Sequence, residues 1–410
     1  MANNNIIVVK FGGSCLSTSE SILVAAKKVA NEVEKGKIVL VVVSALNGVT
    51  DHLVTLAQAS TGNNISKEDL DALLSLGERT TVNILSSSLK SLNVKVLGID
   101  PMSPFWPIFT DSLFGNANVD LVKTRQVVND KILPLLTEGY TLVVAGFLGL
   151  SPEKKITTLG RGGSDISAVL LGNCVDAEEV IFVKDVSGVL SADPKKVSAP
   201  QQLDSLMIEE AYTLASSGAK IIHPKALTYK KNSMILRVTG FNSVDLGGGT
   251  VITGELKTAL DVELFQSPLS LITVIPQNNS LQQIPGMLSE ISDKTSILGL
   301  TVLSTSILLY VQDPLDLVQR FHEKIKTQGF AKAIQAIDSI ALITVTGYSL
   351  ENSPGVIDAV ISPLARENIN LYGIVTISSS IRLFIPWKDR EKALLLINSV
   401  LHPLREKMAH

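Results

Sequence analysis

The chain has 410 residues, too many for one ordinary hydrophobic core, so we expect two or three domains. Hydrophobic residues make up 45% of the sequence and charged residues 18%, proportions typical of a well-packed soluble protein and not of a disordered one. The formal net charge of −3, with no basic stripe, argues against nucleic acid and membrane surfaces as partners.

The sequence also bears on the cellular compartment. The first ten residues, MANNNIIVVK, lack a basic segment followed by an apolar stretch, and the longest apolar run, residues 38–46, is far too short to span a bilayer. The two cysteines, Cys15 and Cys174, do not have the spacing of a metal site. We therefore expect no signal peptide, no transmembrane span and a reducing, cytoplasmic location.

Segments rich in β-branched residues alternate with helical patterns over the first half of the chain. Buried strands are predicted at residues 6–11, 38–43, 95–99, 141–146 and 180–184. Helices are predicted at residues 19–35, 67–92 and 164–171. This alternation predicts a three-layer α/β domain with a mainly parallel central sheet, extending over residues 1–255.

A loop that follows the first strand has the composition of a phosphate site. In VVKFGGSC, residues 8–15, Lys10 lies at the end of the strand and is followed by Gly12 and Gly13. Glycines leave backbone N–H groups open to an anion, and the lysine adds a positive charge. Because the lysine precedes the glycines, the loop is not a Walker A sequence.

A second loop, TTLGRGGSD at residues 157–165, places Arg161 and two glycines directly before a helical pattern. Ser164 or Asp165 is predicted to cap this helix, whose apolar positions begin at Ile166. An anion site and an ordinary glycine turn explain this loop equally well when it is taken alone. Two glycine-pair loops on one α/β domain, each with its own basic residue, favour phosphoryl transfer.

The second half of the chain contains an internal repeat. The sequence LITV occurs at residues 271–274 and again at 342–345, each time followed by a Pro-Gly loop, at residues 285–286 and 354–355. A helical stretch and a Ser-rich strand then follow, the strands being predicted at residues 302–311 and 374–385. The repeat predicts two ferredoxin-like α/β modules, residues 268–338 and 339–410, and two unrelated α/β pieces are a weaker explanation.

Six motifs occur in the order found in aspartate kinases, and over nearly its whole length the chain resembles that family. They are KFGGS (10–14), SALNGVTDHL (44–53), SLGER (75–79), TTLGRGGSD (157–165), KDVSGVLSADP (184–194) and SSGAKIIHP (216–224). The resemblance implies the amino-acid kinase fold followed by two ACT modules. It also implies that ATP phosphorylates the β-carboxylate of L-aspartate to 4-phospho-L-aspartate, the first step towards lysine, threonine and methionine. Mg²⁺ would be held mainly by the nucleotide phosphates.

The resemblance also assigns roles to individual residues. As catalytic residues, Lys10 and Lys220 would neutralise charge on the transferred phosphoryl group, and Asp165 would orient them. The ATP contacts that it implies are Lys10, Phe11, Gly12, Gly13, Ser14, Ser44, Lys184, Asp185, Leu190, Lys195 and Lys220.

The implied acceptor site has one group of each sign. Arg161 would bind the α-carboxylate of aspartate and Glu78 its α-ammonium, and the acceptor carboxylate is already ionised, so no general base is required. Further substrate contacts are implied for Ala45, Thr50, Phe147, Gly163 and Ser164. Without the resemblance, Glu78 and Lys220 would be assigned as surface residues, and Asp165 as a helix cap.

Three positions depart from the family pattern. Lys184 replaces a threonine or serine, Leu190 a tyrosine and Lys195 an arginine. All three match positions around the base and ribose, so they bear on nucleotide affinity more than on chemistry.

Two other functions remain open from the sequence. One is another amino-acid kinase with a different acceptor, which Glu78 argues against because an N-acylated acceptor needs no acid. The other is a catalytically weak, amino-acid-sensing subunit, which the retained Lys10, Asp165 and Lys220 argue against.

The ACT modules predict a homodimer or a higher oligomer. They also predict an amino-acid effector, with threonine favoured over lysine. The family motif STSE reads Ser304-Thr305-Ser306-Ile307 here, and the second repeat has Ser378-Ser379-Ser380-Ile381. An isoleucine thus takes the place of the acid that would pair with the ammonium of lysine.

Overall fold

The computed structural model describes residues 5–256, 260–277, 296–312, 315–328, 331–347, 350, 355–377 and 379–408. The chain divides into two compact units, Met1–Leu256 and Lys257–His410. Within the described ranges, none of the helices has the length and apolar character needed to cross a membrane. The predicted Pro285-Gly286 loop, Pro354 and Ser378 lie outside the described residues.

The first unit is built around one large sheet. Its strands are β1 Ile6–Phe11, β2 Ile38–Val43, β3 Val96–Ile99, β4 Thr141–Ala145, β5 Leu148–Leu150, β6 Ile156–Thr158, β7 Glu179–Lys184, β8 Ser205–Met207, β9 Ile235–Gly240 and β10 Thr250–Thr253. Eight of them form a sheet in the order β3-β4-β2-β1-β7-β9-β10-β8, and β5 pairs with β6 in a separate hairpin. Neighbours in the large sheet are parallel except for β9 and β10.

Helices connect the strands of this unit. They are α1 Ser19–Glu34, α2 Val49–Thr61, α3 Lys67–Ser91, α4 Leu121–Val127, α5 Leu133–Thr137, α6 Gly163–Cys174, α7 Ile208–Ser216 and α8 Pro224–Leu227. A short 3₁₀ turn, Gly13–Cys15, follows β1, and a π-helical turn, Val128–Ile132, joins α4 to α5.

The central strands are apolar because they are covered on both faces. All six residues of β1 and all five of β4 are buried. Successive side chains of a strand point to opposite faces, so such a run requires a layer on each side of the sheet. The predicted α/β class with a mainly parallel central sheet is confirmed.

The second unit has its own sheet, and its described residues include three α-helices. Its strands are β11 Asp261–Leu264, β12 Leu269–Pro276, β13 Ile297–Val302, β14 Ile307–Gln312, β15 Ala331–Thr346, β16 Gly373–Ile377 and β17 Ser380–Pro386. The helices are α9 Leu315–Gln328, α10 Val356–Arg366 and α11 Arg390–Met408. The sheet order is β13-β14-β12-β15-β17-β16, with β11 paired to β15.

The long strand β15 belongs to both sequence repeats. Its first half pairs with β12 and its second half with β11 and β17. Ser339, at the predicted boundary between the two modules, has a φ of 61° and interrupts the extended backbone of the strand. The limits 268–338 and 339–410 therefore divide one continuous strand of the sheet.

The two Ser-rich segments are hairpins, which corrects the single strands predicted at residues 302–311 and 374–385. The chain turns after Val302, where the N–H of Leu303 donates to the carbonyl of Ser306 at 2.8 Å, and β14 returns antiparallel to β13. β16 and β17 also pair antiparallel, with Ile377 opposite Ser380. Serine favours turns, so the run at the centre of each segment is where the strand ends.

Candidate active site

A cavity of about 630 Å³ lies at the carboxyl ends of β1, β2 and β4, which are neighbours in the sheet. Ligands of open α/β sheets bind at this edge because the loops that follow the strands converge there. Eleven of the residues implied by the resemblance line it: Lys10, Gly13, Ser44, Ala45, Thr50, Glu78, Phe147, Arg161, Gly163, Ser164 and Asp165. All seven implied substrate contacts are among them.

The loop after β1 fits closely against the loop after β2. A Cβ atom on Gly13 would lie 2.8 Å from the carbonyl oxygen of Ala45, so this position has no room for a side chain. A Cβ atom on Gly12 would lie 3.8 Å from Lys10 Nζ, in the space next to the ammonium. Gly13 thus allows the two loops to pack together, and Gly12 leaves the space next to the Lys10 ammonium open to an anionic ligand.

Lys10 forms an ion pair with Asp165 across the cavity wall. Its Nζ lies 2.8 Å from Asp165 Oδ1, and the two side chains are 11% and 12% exposed. The main-chain N–H of His223 donates to Asp165 Oδ2 at 3.1 Å. Burial raises the pKa of Asp165, but the ammonium groups of Lys10 and Lys184 outweigh it and hold that pKa below its usual value.

Asp165 therefore does not cap α6, as the sequence had predicted for Ser164 or Asp165. The N-cap is Gly162, which has a φ of 75° and makes no side-chain cap hydrogen bond. A Cβ atom there would lie 2.3 Å from Cγ of His223, so only glycine fits. Asp165 instead uses its carboxylate for Lys10, because a buried charge pair is stronger than a neutral cap.

A second helix also begins at the cavity without a side-chain cap. The N-cap of α2 is Gly48, with a φ of 78° and no side-chain hydrogen bond, and Thr50 lies in the first turn. Both α2 and α6 therefore present uncapped N-terminal turns to the same cavity. Free N–H groups at the positive ends of two helix dipoles favour an anion.

Glu78 places a buried carboxyl group in the lining of the cavity. The residue is only 4% exposed, which excludes the surface assignment. Oε1 accepts a hydrogen bond from the N–H of Ala45 at 3.2 Å, and Oε2 has no partner among the described residues. Burial raises the pKa of Glu78 to about 7. α3 can approach Ala45 so closely because residue 77 is glycine, where a Cβ atom would lie 2.7 Å from Cβ of Ala45.

The two neighbouring arginines differ in how they are paired. Arg79 forms an ion pair with Asp100 at 2.9 Å and does not neutralise Glu78. Arg161, which is exposed, pairs with no acid within the described part of the chain. Glu78 and Arg161 are thus both available to a zwitterion in this cavity, which the exposed Asp51 also lines.

The remaining predicted nucleotide contacts lie outside the cavity lining. Phe11 is fully buried beneath it, Gly12 and Ser14 belong to the loop after β1, and Asp185, Leu190 and Lys195 follow β7. The side chain of Lys184 donates to the main-chain carbonyls of Lys220, at 3.2 Å, and Ile221. Lys220 itself is exposed, and Asp165 pairs with Lys10 and not with it.

Asp71 lines the cavity and was not predicted from the sequence. Its carboxylate is 1% exposed and accepts hydrogen bonds from the N–H of Gly115, the N–H of Thr158 and the hydroxyl of Thr158, all at 2.8 Å. It thereby fixes the strand that leads to Arg161. Asp71 precedes Glu78 by two helical turns, so the same-face spacing on α3 was the available signal.

The chain is similar to known proteins over most of its length. Residues 5–240 match the model of the amino acid kinase family, and residues 335–399 match that of an ACT domain. The chain is 30% identical to an aspartokinase of Bacillus sp. (strain MGA3) over 90% of this chain and 91% of that protein. The crystal structure of aspartate kinase from Synechocystis is similar with a TM-score of 0.77 and 26% identity, over 97% of this chain and 69% of that one.

A further structure shows likeness of fold. E. coli aspartokinase III, in complex with aspartate and ADP, matches with a TM-score of 0.57 and 24% identity, over 97% of this chain and all of that one.

Proposed function

The chain belongs to the amino acid kinase family, and we propose that it is an aspartate kinase, which transfers the γ-phosphoryl group of ATP to the β-carboxylate of L-aspartate. The observation that carries the proposal is the pairing of opposite charges in one cavity. Glu78 offers a buried carboxylate oxygen without a partner, and Arg161 a guanidinium without an acid partner within the described residues. An α-amino acid supplies the complementary ammonium and carboxylate.

The phosphate side of the reaction is assigned to the loop after β1. Lys10, held by Asp165, places its ammonium beside Gly12, where the absence of a side chain leaves space. A fixed cation there stabilises the charge that develops on the transferred phosphoryl group. We also propose Lys220 as a second catalytic cation. The nucleotide is proposed to contact Lys184, Asp185, Leu190 and Lys195.

The acceptor carboxylate needs no general base because it is ionised at neutral pH. One of its oxygens forms the new bond to phosphorus as the bond to the ADP oxygen breaks, and the charge moves onto ADP. The residues of this chain have to bring two anions together, which the uncapped ends of α2 and α6 and the charge of Arg161 favour.

Mg²⁺ fits this site as an ion bound by the nucleotide. Groups of three or more His, Cys, Asp or Glu side chains suited to a metal do not occur in the described ranges. We propose that the ion would be held mainly by the phosphate oxygens, where it would supply further neutralisation of charge. A cytoplasmic location, consistent with the free thiols of Cys15 and Cys174, belongs to the same proposal.

One assay tests the function. The protein is incubated with ATP, Mg²⁺, L-aspartate and hydroxylamine, which converts the acyl phosphate to a hydroxamate. N-acetyl-L-aspartate is the matched control, because it keeps both carboxylates and lacks the ammonium that Glu78 would bind. Equal turnover of the two acceptors would contradict the proposed role of Glu78. Binding of aspartate without turnover would instead identify an amino-acid-sensing subunit.

We further propose that the ACT half forms at least a dimer and responds to threonine more strongly than to lysine. Ile307 and Ile381, at the positions of the missing acid, are 3% and 2% exposed and belong to two apolar cores of the second unit. Neither position offers a carboxylate to an effector, and burying an ammonium without one is costly.

When lysine or threonine is titrated into the kinase assay at limiting aspartate, we therefore expect weak or no inhibition by lysine and stronger inhibition by threonine. Each amino acid is added up to a large excess over aspartate, with glycine as the control for non-specific effects. Strong inhibition by low lysine concentrations would show that the effector site lies elsewhere in the chain.

A further inference from the structure

The backbone at Phe147 is strained. This aromatic residue has a φ of 68°, in the left-handed region that bulky side chains rarely occupy. The N–H of Leu148 donates to the carbonyl of Gly146 at 2.8 Å, which closes a tight turn around Phe147. A hydrogen bond across one residue with positive φ defines the rarer, strained form of the γ-turn. Strain of this kind persists only where the surroundings hold it, and it is concentrated at functional sites.

Two elements of the acceptor site hold the turn. The N–H of Phe147 donates to Oγ of Ser167 at 3.0 Å, and its carbonyl accepts from the N–H of Leu159 at 2.8 Å. Ser167 lies on α6 and Leu159 comes shortly before Arg161, so both bonds tie Phe147 to the segment that carries the guanidinium. On the other side of the turn, the N–H of Gly146 donates to the carbonyl of Val43 at 2.9 Å, and a Cβ atom on residue 146 would lie 2.9 Å from that same oxygen, so only glycine fits there.

Ser167 uses its hydroxyl fully in this arrangement. The residue is completely buried, and its Oγ donates to the carbonyl of Gly163 at 3.0 Å while it accepts from Phe147. One side chain thus joins the turn after β4 to the first turn of α6. It does not line the cavity and cannot touch a substrate there.

The turn brings Phe147 against the start of α6. A Cβ atom on Gly163 would lie 2.7 Å from Cδ2 of Phe147 and 3.0 Å from its Cα. Phe147, Gly163, Ser164 and Arg161 all line the cavity. If the φ of Phe147 were negative, its ring would leave this position, and the wall of the cavity beside Arg161 would change shape.

We propose that Ser167 is a positioning residue that holds Phe147 in its strained turn and thereby sets the shape of the acceptor pocket. This inference rests on the proposed function, since the acceptor is taken to be L-aspartate. A residue that only stabilised the fold would affect both substrates alike. A residue that positions Phe147 should affect aspartate and not ATP.

The test is a graded series at position 167. Ser167→Ala removes the hydroxyl, and Ser167→Cys replaces it with a somewhat larger thiol that forms weaker hydrogen bonds. We expect the KM for L-aspartate to rise about tenfold in Ser167→Ala, by an intermediate factor in Ser167→Cys, and the KM for ATP to change less than about twofold. Should Ser167→Ala fail to fold, Ser167→Cys carries the comparison.

Thr250 provides a matched control. Its fully buried hydroxyl also accepts from a main-chain N–H, that of Val189 at 2.8 Å, and donates to the carbonyl of Leu203 at 2.5 Å. Thr250→Val should lower the midpoint of thermal unfolding, as Ser167→Ala does, and leave the KM for L-aspartate unchanged.

The outcomes separate the two proposals. Loss of stability in Ser167→Ala with an unchanged KM for aspartate would overturn the positioning role, and so would equal increases in the KM values of both substrates. If the unmodified protein does not phosphorylate aspartate, the proposed function itself fails. The shift that L-aspartate causes in the unfolding midpoint then still reports whether Ser167→Ala weakens binding.

Discussion

Lys10→Met is expected to lower kcat about 100- to 1000-fold and to change the KM for L-aspartate far less. The Lys10 ammonium lies 2.8 Å from Asp165 Oδ1, next to the glycine pair where the phosphates are proposed to bind. Negative charge shifts onto ADP as the phosphoryl group is transferred, so a fixed cation there acts mainly on the transition state. Initial rates at saturating ATP and aspartate measure the effect.

The substitution also breaks a buried ion pair, which typically destabilises a fold by about 3–5 kcal/mol, so stability has to be measured separately. Lys10→Met/Asp165→Asn removes both charges and should recover stability without recovering kcat. Lys37→Met is the surface control, because Lys37 pairs with the exposed Glu178 at 2.9 Å and such pairs contribute at most about 1 kcal/mol. A near-normal kcat in Lys10→Met would remove this lysine from the mechanism.

The central strands could be predicted from the sequence because parallel strands covered on both faces read as continuous apolar runs. The predicted residues 38–43 coincide with β2. Helix α2 gives no such signal. It begins after Gly48 without a capping side chain, so the capping preference that indicates the start of a helix is missing, and Ala57 is the one residue among those described in this helix that is buried.

The residues of the cavity could be predicted from motifs, but their contacts could not. Serine and aspartate cap helices often, which led to the wrong prediction for Ser164 and Asp165, because a lysine on β1 competes for the carboxylate only in the folded chain. The positive φ of Phe147 contradicts the preference of an aromatic residue, so local rules cannot predict it. Functional sites are where such departures from local preference are expected.

Glu78→Gln is expected to raise the KM for L-aspartate roughly 10- to 100-fold, since a charge-assisted hydrogen bond contributes about 1.5–3 kcal/mol. Glutamine keeps the length of the side chain and an oxygen for the N–H of Ala45, so the change mainly removes the charge. The KM for ATP should stay within about twofold. Equal increases in both KM values would mean that Glu78 is structural, and the assignment of the acceptor site would fail.

The same residue predicts a pH dependence. Burial raises the pKa of Glu78 to about 7, so in the free protein it becomes protonated as the pH falls below that value. Protonated Glu78 cannot pair with an ammonium, and the KM for L-aspartate should rise on the acid side of pH 7. Glu78→Gln should lack this rise, and binding of aspartate near pH 7 should release a proton from the unmodified protein, which calorimetry in buffers of different ionisation enthalpy detects.

The titration of Glu78 should affect the free energy of unfolding in the opposite direction from the binding of aspartate: a rise in pH improves binding and lowers stability. Glutamate in an unfolded chain titrates near its ordinary pKa of 4.5, and native Glu78 near 7. Between these pH values the native state binds more protons than the unfolded state, so this residue lowers the free energy of unfolding as the pH rises. The free energy of unfolding of Glu78→Gln relative to the unmodified protein should therefore grow by roughly 1–3 kcal/mol from pH 5 to pH 8. Glu153→Gln is the contrasting control, because hydrogen bonds from the hydroxyls of Ser112 and Ser151 hold the pKa of Glu153 below its usual value, so its relative stability should not grow as the pH rises. If the relative stability of Glu78→Gln stays constant with pH, the pKa of Glu78 is not raised in the native state. A cation of the protein would then already compensate the charge of the carboxylate, and the aspartate ammonium would not be its partner.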